Sequence, residues 1–188
     1  MDLKKATFLL AMPSLEDGIF TKSLILMTQH DQAGSLGFII NHPTGAQIDE
    51  ALKLMQIKAS DIPKIPILLG GPVQTDFFWA IHAPDDQLES TIIKAPLFHI
   101  SGAMEVFSLI GKPEAPQIYF CGVGYAGWGE QQLEREIEEG AWWKEELPWD
   151  TIIHTKAEEK WHQAFHEMGI ETEDMIDKTD PFSPPTIN

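Results

Sequence analysis

The segment Gly122-Val-Gly-Tyr-Ala-Gly-Trp-Gly129 constrains this chain more than any other. It follows the apolar run Gln117–Cys121 and precedes an acidic stretch in which Leu133 and Ile137 lie four apart. A run of that kind reads as a strand, and the i, i+4 pair predicts a helix over Gly129–Glu139. The glycines then predict a tight strand-to-helix turn with positive φ, covered by Tyr125 and Trp128. Gly122, Gly124 and Gly127 also match the dinucleotide pattern G-x-G-x-x-G in its strand-then-helix setting. That reading fails. The fingerprint needs an acid at the end of the next strand, about 20 residues on, whereas Asp150 precedes the expected strand Thr151–His154, and too little chain follows to complete a nucleotide-binding sheet. Tyr125 and Trp128 would also crowd a pyrophosphate. The helix-opening amides could hold an anion, but Glu130, Glu134, Glu136, Glu138 and Glu139 already suit the dipole and repel one. No cofactor is expected.

Elsewhere, apolar runs predict strands at Thr7–Met12, Ser23–Thr28, 34–40, Ile65–Leu69, Phe77–His82 and Thr91–Ile93. The turn formers between His30 and Gly34 predict a hairpin. Helical spacing appears at Ile48–Met55 and again from a Ser101 cap through Ile110. A last helix opens on Thr155 and Glu158, which have capping-box spacing, and carries the stripe Trp161, Ala164, Phe165, Met168 up to Gly169. Strands dominate early and helices intersperse later, without sustained βαβ alternation. The fold class is therefore α+β with a mixed sheet. Residues 1–170 read as one domain, and 171–188 as an acidic, proline-containing tail that is extended or partly disordered.

Charge excludes more than the motifs do. Thirteen basic residues face 29 acidic ones in 188, a net of −16, and Arg135 is the only arginine. Phosphate backbones are gripped by clustered Lys and Arg that release counterions, so direct nucleic-acid binding is not expected, nor is an anionic membrane surface. No apolar run reaches the roughly 20 residues that span a bilayer. The single cysteine, Cys121, allows no internal disulfide. Together these predict a cytoplasmic location.

Catalytic sets are thinly marked. His162 and His166 are four apart on one predicted helix, but a metal clamp needs a further placed ligand, and no metal is expected. Ser23, Ser35 and Ser101 with His30, His82 and His99 could form a hydrolytic set, yet no serine lies in G-x-S-x-G. Cys121 ends an apolar run, where cysteine is usually a small buried hydrophobe. The turns at 34–37, 70–72 and 122–129 are richer in glycine than a small sheet needs. They imply close backbone approach to a ligand or to another strand.

Those turns carry a resemblance. Leu10-Ala-Met-Pro-x-Leu15-x-Asp17, Phe20-x-x-Ser23-Leu24, His30-x-x-x-Gly34-x-Leu36-Gly37-x-x-Ile40-Asn41-x-Pro43, Gly70-Gly-Pro-Val73 and Gly124-Tyr-Ala-Gly-Trp-Gly129-x-x-Gln132-Leu133-Glu134-x-Glu136-Ile137 occur in that order. The set resembles the YqgE/AlgH family of bacterial proteins from about Leu9 to Gly169. The resemblance implies a cytosolic α+β protein with a partly closed or bifurcated β-sheet surrounded by helices. It implies no defined activity; members are generally uncharacterised, and some are described as transcriptional regulators. Lys22 and His42 stand where arginines are common, Gly140 where asparagine is frequent, and the tail lacks the usual Gly-His-Ala ending.

The expectation for function is thus a non-enzymatic binding or regulatory protein acting through a protein or small-molecule partner. The contact surface is expected at the motif loops, around Asp17, Ser23, Asn41, Gly71, Gly124, Tyr125, Gly127 and Trp128. The alternative is a hydrolase using a histidine with a serine or Cys121 near the same loops. That version requires a histidine within hydrogen-bond reach of Ser23, Ser101 or Cys121.

Overall fold

The structure is a computed structural model that describes residues 4–15 and 18–172. Asp17 and the tail beyond Thr172 lie outside the described residues. Ten strands appear among them: β1 Lys5–Ala11, β2 Leu24–Asp31, β3 Gly34–Ile39, β4 Pro43–Gln47, β5 Pro66–Leu69, β6 Val73–His82, β7 Thr91–Lys94, β8 His99–Gly102, β9 Ile118–Trp128 and β10 Trp142–Pro148. Five helices accompany them: α1 Ile48–Leu54, α2 Ala103–Ser108, α3 Gln132–Glu138, α4 Trp149–His154 and α5 Lys160–Glu167.

The fold is α+β, built on one curled sheet in the order β10-β1-β2-β3-β9-β6-β8-β7, with β4 and β5 branching off β9. The branch is what makes the sheet bifurcate. The first half of β9 lies antiparallel to β6 and parallel to β5, with Cys121 opposite both Ala80 and Ile67. Its second half leaves β5 and pairs with β3, Trp128 opposite Ser35 and Gly127 opposite Leu36. The β5–β9 pair is parallel while the rest are antiparallel, so the sheet is mixed.

Both faces of the sheet are covered, which is why its central strands read as unbroken apolar runs. Along β1, Phe8 and Leu10 face a core shared with Trp161 and Phe165 of α5. Leu9 and Ala11 point the other way, into a core with Leu133 of α3, Trp128 and Trp142. Over the other half of the sheet, Ile48 and Leu52 of α1 and Val106 and Phe107 of α2 pack on Ile67, Ala80 and Cys121.

Several expectations are corrected. Gly122–Trp128 is not a turn but the continuation of β9; the helix after it starts only at Gln132. Thr151–His154 is not a strand but the end of α4, and it follows β10, which the sequence reading missed. Pro43–Gln47, for which no strand is predicted, is a strand paired with β5. Ser101 lies in β8 rather than capping α2, whose N-cap is Gly102. The capping box expected at Thr155 is absent as well: the Thr155 hydroxyl donates back to the Thr151 carbonyl at 2.8 Å.

Candidate functional site

The motif loops converge on a crossing of backbones. Gly124 has φ +69°, a left-handed conformation in which β9 bends from one half of the sheet to the other. A Cβ on Gly124 would lie 2.5 Å from the Gly71 carbonyl oxygen, and one on Gly71 would collide with the Tyr125 backbone. The Trp79 indole donates to the Gly124 carbonyl at 2.6 Å, and its ring fills the space that side chains at Gly70 and Gly122 would need. The glycines here permit one backbone to approach another closely.

Ser23, Asn41, Tyr125 and Trp128 of the predicted contact set are buried or half-buried, whereas Gly127 is exposed. Asn41 is buried; its Oδ1 accepts the Leu24 amide at 2.7 Å and its Nδ2 donates to the Lys22 carbonyl at 2.8 Å. Ser23 is buried, and its hydroxyl has no hydrogen-bond partner among the described residues. Tyr125 is half-buried beside Phe38. Trp128 donates its indole N–H to Glu136 Oε2 at 2.8 Å, and Trp142 donates to the same oxygen at 2.8 Å. Gln132 donates to the other carboxylate oxygen at 2.9 Å. The structure therefore brings Gly71, Gly124 and Tyr125 together at the crossing. Gly127 and Trp128 lie farther along β9, and Ser23 and Asn41 sit at the start of β2 and the end of β3.

The hydrolytic set is partly assembled. Ser101 has its histidine: His82 Nε2 and Ser101 Oγ share a 2.8 Å hydrogen bond, and His82 Nδ1 faces the Ala83 carbonyl at 2.7 Å. Both side chains are 0% exposed, so no substrate reaches the hydroxyl as it stands. Burial holds the His82 imidazole below its ordinary pKa, consistent with a neutral ring in a buried polar network. His30 Nδ1 and Ser35 Oγ share a 2.7 Å bond, with Glu134 3.9 Å from His30 Nε2, but Ser35 is only 8% exposed. Cys121 is buried, and burial pushes its thiol up to about 12, away from thiolate chemistry. His162 bonds Thr172 rather than pairing with His166, and no group of metal-binding side chains forms among the described residues.

A different place offers room. A cavity of about 190 Å³ opens between β5, the first residues of β9 and the α4–α5 junction. Ile40, Leu68, Tyr119, Phe120 and Ile153 give it apolar walls, and Lys64, Lys156 and Lys160 are its charged lining residues among those described. Lys160 is the unusual member. It is 2% exposed, at the first position of α5. Its Nζ donates to the Ile152 carbonyl at 2.6 Å and to the Thr155 carbonyl. Those are acceptors at the C-terminal end of α4, where helices leave carbonyls without partners and favour a cation. The ammonium also sits 5.0 Å from the centre of the Phe120 ring.

Burial lowers the Lys160 pKa from 10.5 to about 8, with the charge of Glu158 partly opposing. The sign of the consequence is fixed. Between those values the unfolded chain holds a proton that the folded chain has released, so folding gains stability as pH rises. Below about 8 both forms are protonated and the cost of burial stays in full. From pH 8 to 10.5, wild type is expected to gain up to about 3 kcal/mol relative to Lys160→Met. Urea unfolding at each pH measures this, and a difference flat with pH would mean a hydrated amine.

Sequence reading missed this lysine, although a signal existed. Lys160 is four residues before Ala164 and adjoins Trp161, so it falls on the apolar stripe of its helix. Lys64 and Lys156 carry no such mark; only the fold brings them together.

Comparison with known proteins agrees with this architecture. The pattern of the AlgH-like family matches residues 8–173, nearly all of the described chain. This chain belongs to the AlgH-like family. Among its relatives, a UPF0301 protein of Serratia proteamaculans is 36% identical over 172 residues, covering 87% of this chain and 91% of that protein. A UPF0301 protein of Shewanella loihica is 31% identical, covering 91% and 94%. The solution structure of the AlgH protein from Pseudomonas aeruginosa matches with a TM-score of 0.70 at 26% identity, covering 97% of this chain and 95% of that one. A crystal structure from Corynebacterium diphtheriae shares the fold at a TM-score of 0.60 and 18% identity. The AlgH-like fold thus extends over both halves of the bifurcated sheet and the α4–α5 pair that closes the cavity. Among the described residues no helix is long and apolar enough to cross a membrane.

Proposed function

We propose that this AlgH-like chain is a non-enzymatic, cytoplasmic binding protein that acts in regulation by taking up a small molecule in the cavity beside Lys160. The observation that carries this reading is the buried ammonium. A lysine at 2% exposure on an apolar wall costs stability that a purely structural residue at that position would not. Groups held in such an unfavourable state cluster at sites of function. The internal engagement of Ser101, His82, Asn41 and the glycines supports the same choice, since it leaves the motif loops as the frame of the sheet. A net charge of −16 argues against any regulatory role through direct contact with duplex DNA.

A thermal-shift screen against metabolites tests the proposal. A ligand that binds only the native state, at about 100 times its Kd, stabilises by about 2.7 kcal/mol. For a chain of this length that corresponds to a rise of about 5–10 °C in Tm. No response to any compound would instead favour a protein partner docking elsewhere.

A further inference from the structure

The chemistry of the cavity narrows the ligand class, on the reading that the cavity is the binding site. An ammonium has three N–H donors. In Lys160 the carbonyls of Ile152 and Thr155 take two of them. Among the described residues the third meets only the face of the Phe120 ring. Among the described residues the cavity lining contains no acidic side chain, and two exposed lysines, Lys64 and Lys156, add positive charge to it. This happens in a chain where acids outnumber bases 29 to 13, so a lining charged by lysine alone runs against the composition. Ile40, Leu68 and Phe120 offer an apolar surface beside that charge.

We infer that the cavity binds a short organic carboxylate, its hydrocarbon part against Ile40, Leu68 and Phe120 and its carboxylate on Lys160, flanked by Lys64 and Lys156. A carboxylate oxygen accepts the one N–H that the protein leaves unclaimed, and a charge-assisted hydrogen bond of this kind is among the stronger ones. A phosphate dianion fits worse, because several of its oxygens would be buried against hydrocarbon without donors. A neutral ligand of the same shape offers the ammonium at most an uncharged acceptor, and a cationic one is repelled by it. Lys160 so placed serves two ends: it satisfies the end of α4 and presents one residual donor to the cavity. No bond is made or broken, in keeping with a binding role.

The probes are hexanoate, 1-hexanol and hexylamine, which share one chain and differ in head group. Their affinities for the full-length protein are measured by calorimetry, and the Lys160 side chain is followed by NMR through its Cε resonance. Hexanoate is expected to bind at least about tenfold more tightly than 1-hexanol, the ratio that one charge-assisted hydrogen bond provides. It should move the Lys160 signal, and hexylamine should not bind. Lys160→Met could disturb the end of α4, so the exposed pair Lys64→Gln and Lys156→Gln is the second variant. It should keep the fold, weaken hexanoate several-fold and leave 1-hexanol unchanged. Equal binding of hexanoate and 1-hexanol would overturn the carboxylate assignment while leaving the cavity as a ligand site. Absence of hexanoate binding would overturn it too, and the metabolite screen would then decide whether the binding reading falls with it.

Discussion

Gly124→Ala is expected to destabilise the fold by about 2–5 kcal/mol, summed from a left-handed backbone penalty of about 1–2 kcal/mol and an overpacking cost of about 1–3. Gly124 sits at φ +69°, where a side chain is strained wherever it points. Its Cβ would also lie 2.5 Å from the Gly71 carbonyl and 3.1 Å from that of Val73. Neither is a flexible side-chain tip that could move aside. Moving the Gly124 carbonyl instead would stretch its 2.6 Å bond from the buried Trp79 indole. Gly45→Ala is the natural comparison. Gly45 also has positive φ, at +93°, but nothing lies within 4 Å of its added Cβ. It should cost only the conformational part, about 1–2 kcal/mol. Urea denaturation of the two variants separates strain from collision. Equal losses would mean that the crossing of β9 over the Gly70–Gly71 turn is looser than the structure indicates.

The second large effect concerns Glu136. Its carboxylate accepts two indole N–H groups, from Trp128 and Trp142, and one amide N–H from Gln132. The two indoles pack edge to face with centroids 5.9 Å apart in the core over α3. Glu136→Ala would leave both N–H groups short of an acceptor. At about 1–3 kcal/mol for each buried group left unsatisfied, a total loss of about 2–6 kcal/mol is expected. Glu136→Gln keeps one oxygen for the indoles but turns its amide toward that of Gln132, whose own oxygen is held by the Gly129 amide. Its cost should be about 1 kcal/mol. Glu138→Ala, on the exposed side of α3, should stay within about 0.5 kcal/mol. Unfolding curves followed by tryptophan fluorescence give all three values, and loss of near-UV dichroism would report release of the two rings.

Where the chain's surroundings are apolar on both sides, the sequence is easy to read. Phe8–Ala11 and Leu24–Met27 are unbroken runs because one set of side chains meets α5 and the other meets α3. The stripe Trp161, Ala164, Phe165 marks α5 for the same reason. Reading fails where one local signal has two physical causes. Glycines in 122–129 signal a turn, but they serve equally where one backbone crosses another, and β9 is such a strand. The charges Lys144, Glu145 and Glu146 hide β10, which lies at the edge of the sheet; edge strands often carry charge because it discourages pairing with another chain. The β-branched pair Ile152-Ile153 suggests a strand, while burial of Trp149 and Ile152 against the sheet selects a helix. The candidate site was the least legible part. Lys64 and Lys156 are 92 positions apart in sequence, counting 156 − 64, and only the parallel pairing of β5 with β9 sets the walls that bring them to one cavity. The family motifs, by contrast, mark the glycine crossing and the Asn41 clasp, which frame the sheet.

The proposed function places a small molecule in the cavity between β5, β9 and the α4–α5 junction. Ala157 lines that cavity and is half-buried, so Ala157→Phe would fill it from the rim without touching the core. The decisive measurement is the metabolite thermal-shift screen run on wild type and Ala157→Phe side by side. Compounds that raise the wild-type Tm are expected to leave the variant unmoved, while the two proteins melt within a few degrees of each other without ligand. Compounds that raise the Tm of both proteins equally would place the ligand elsewhere and contradict the proposed function.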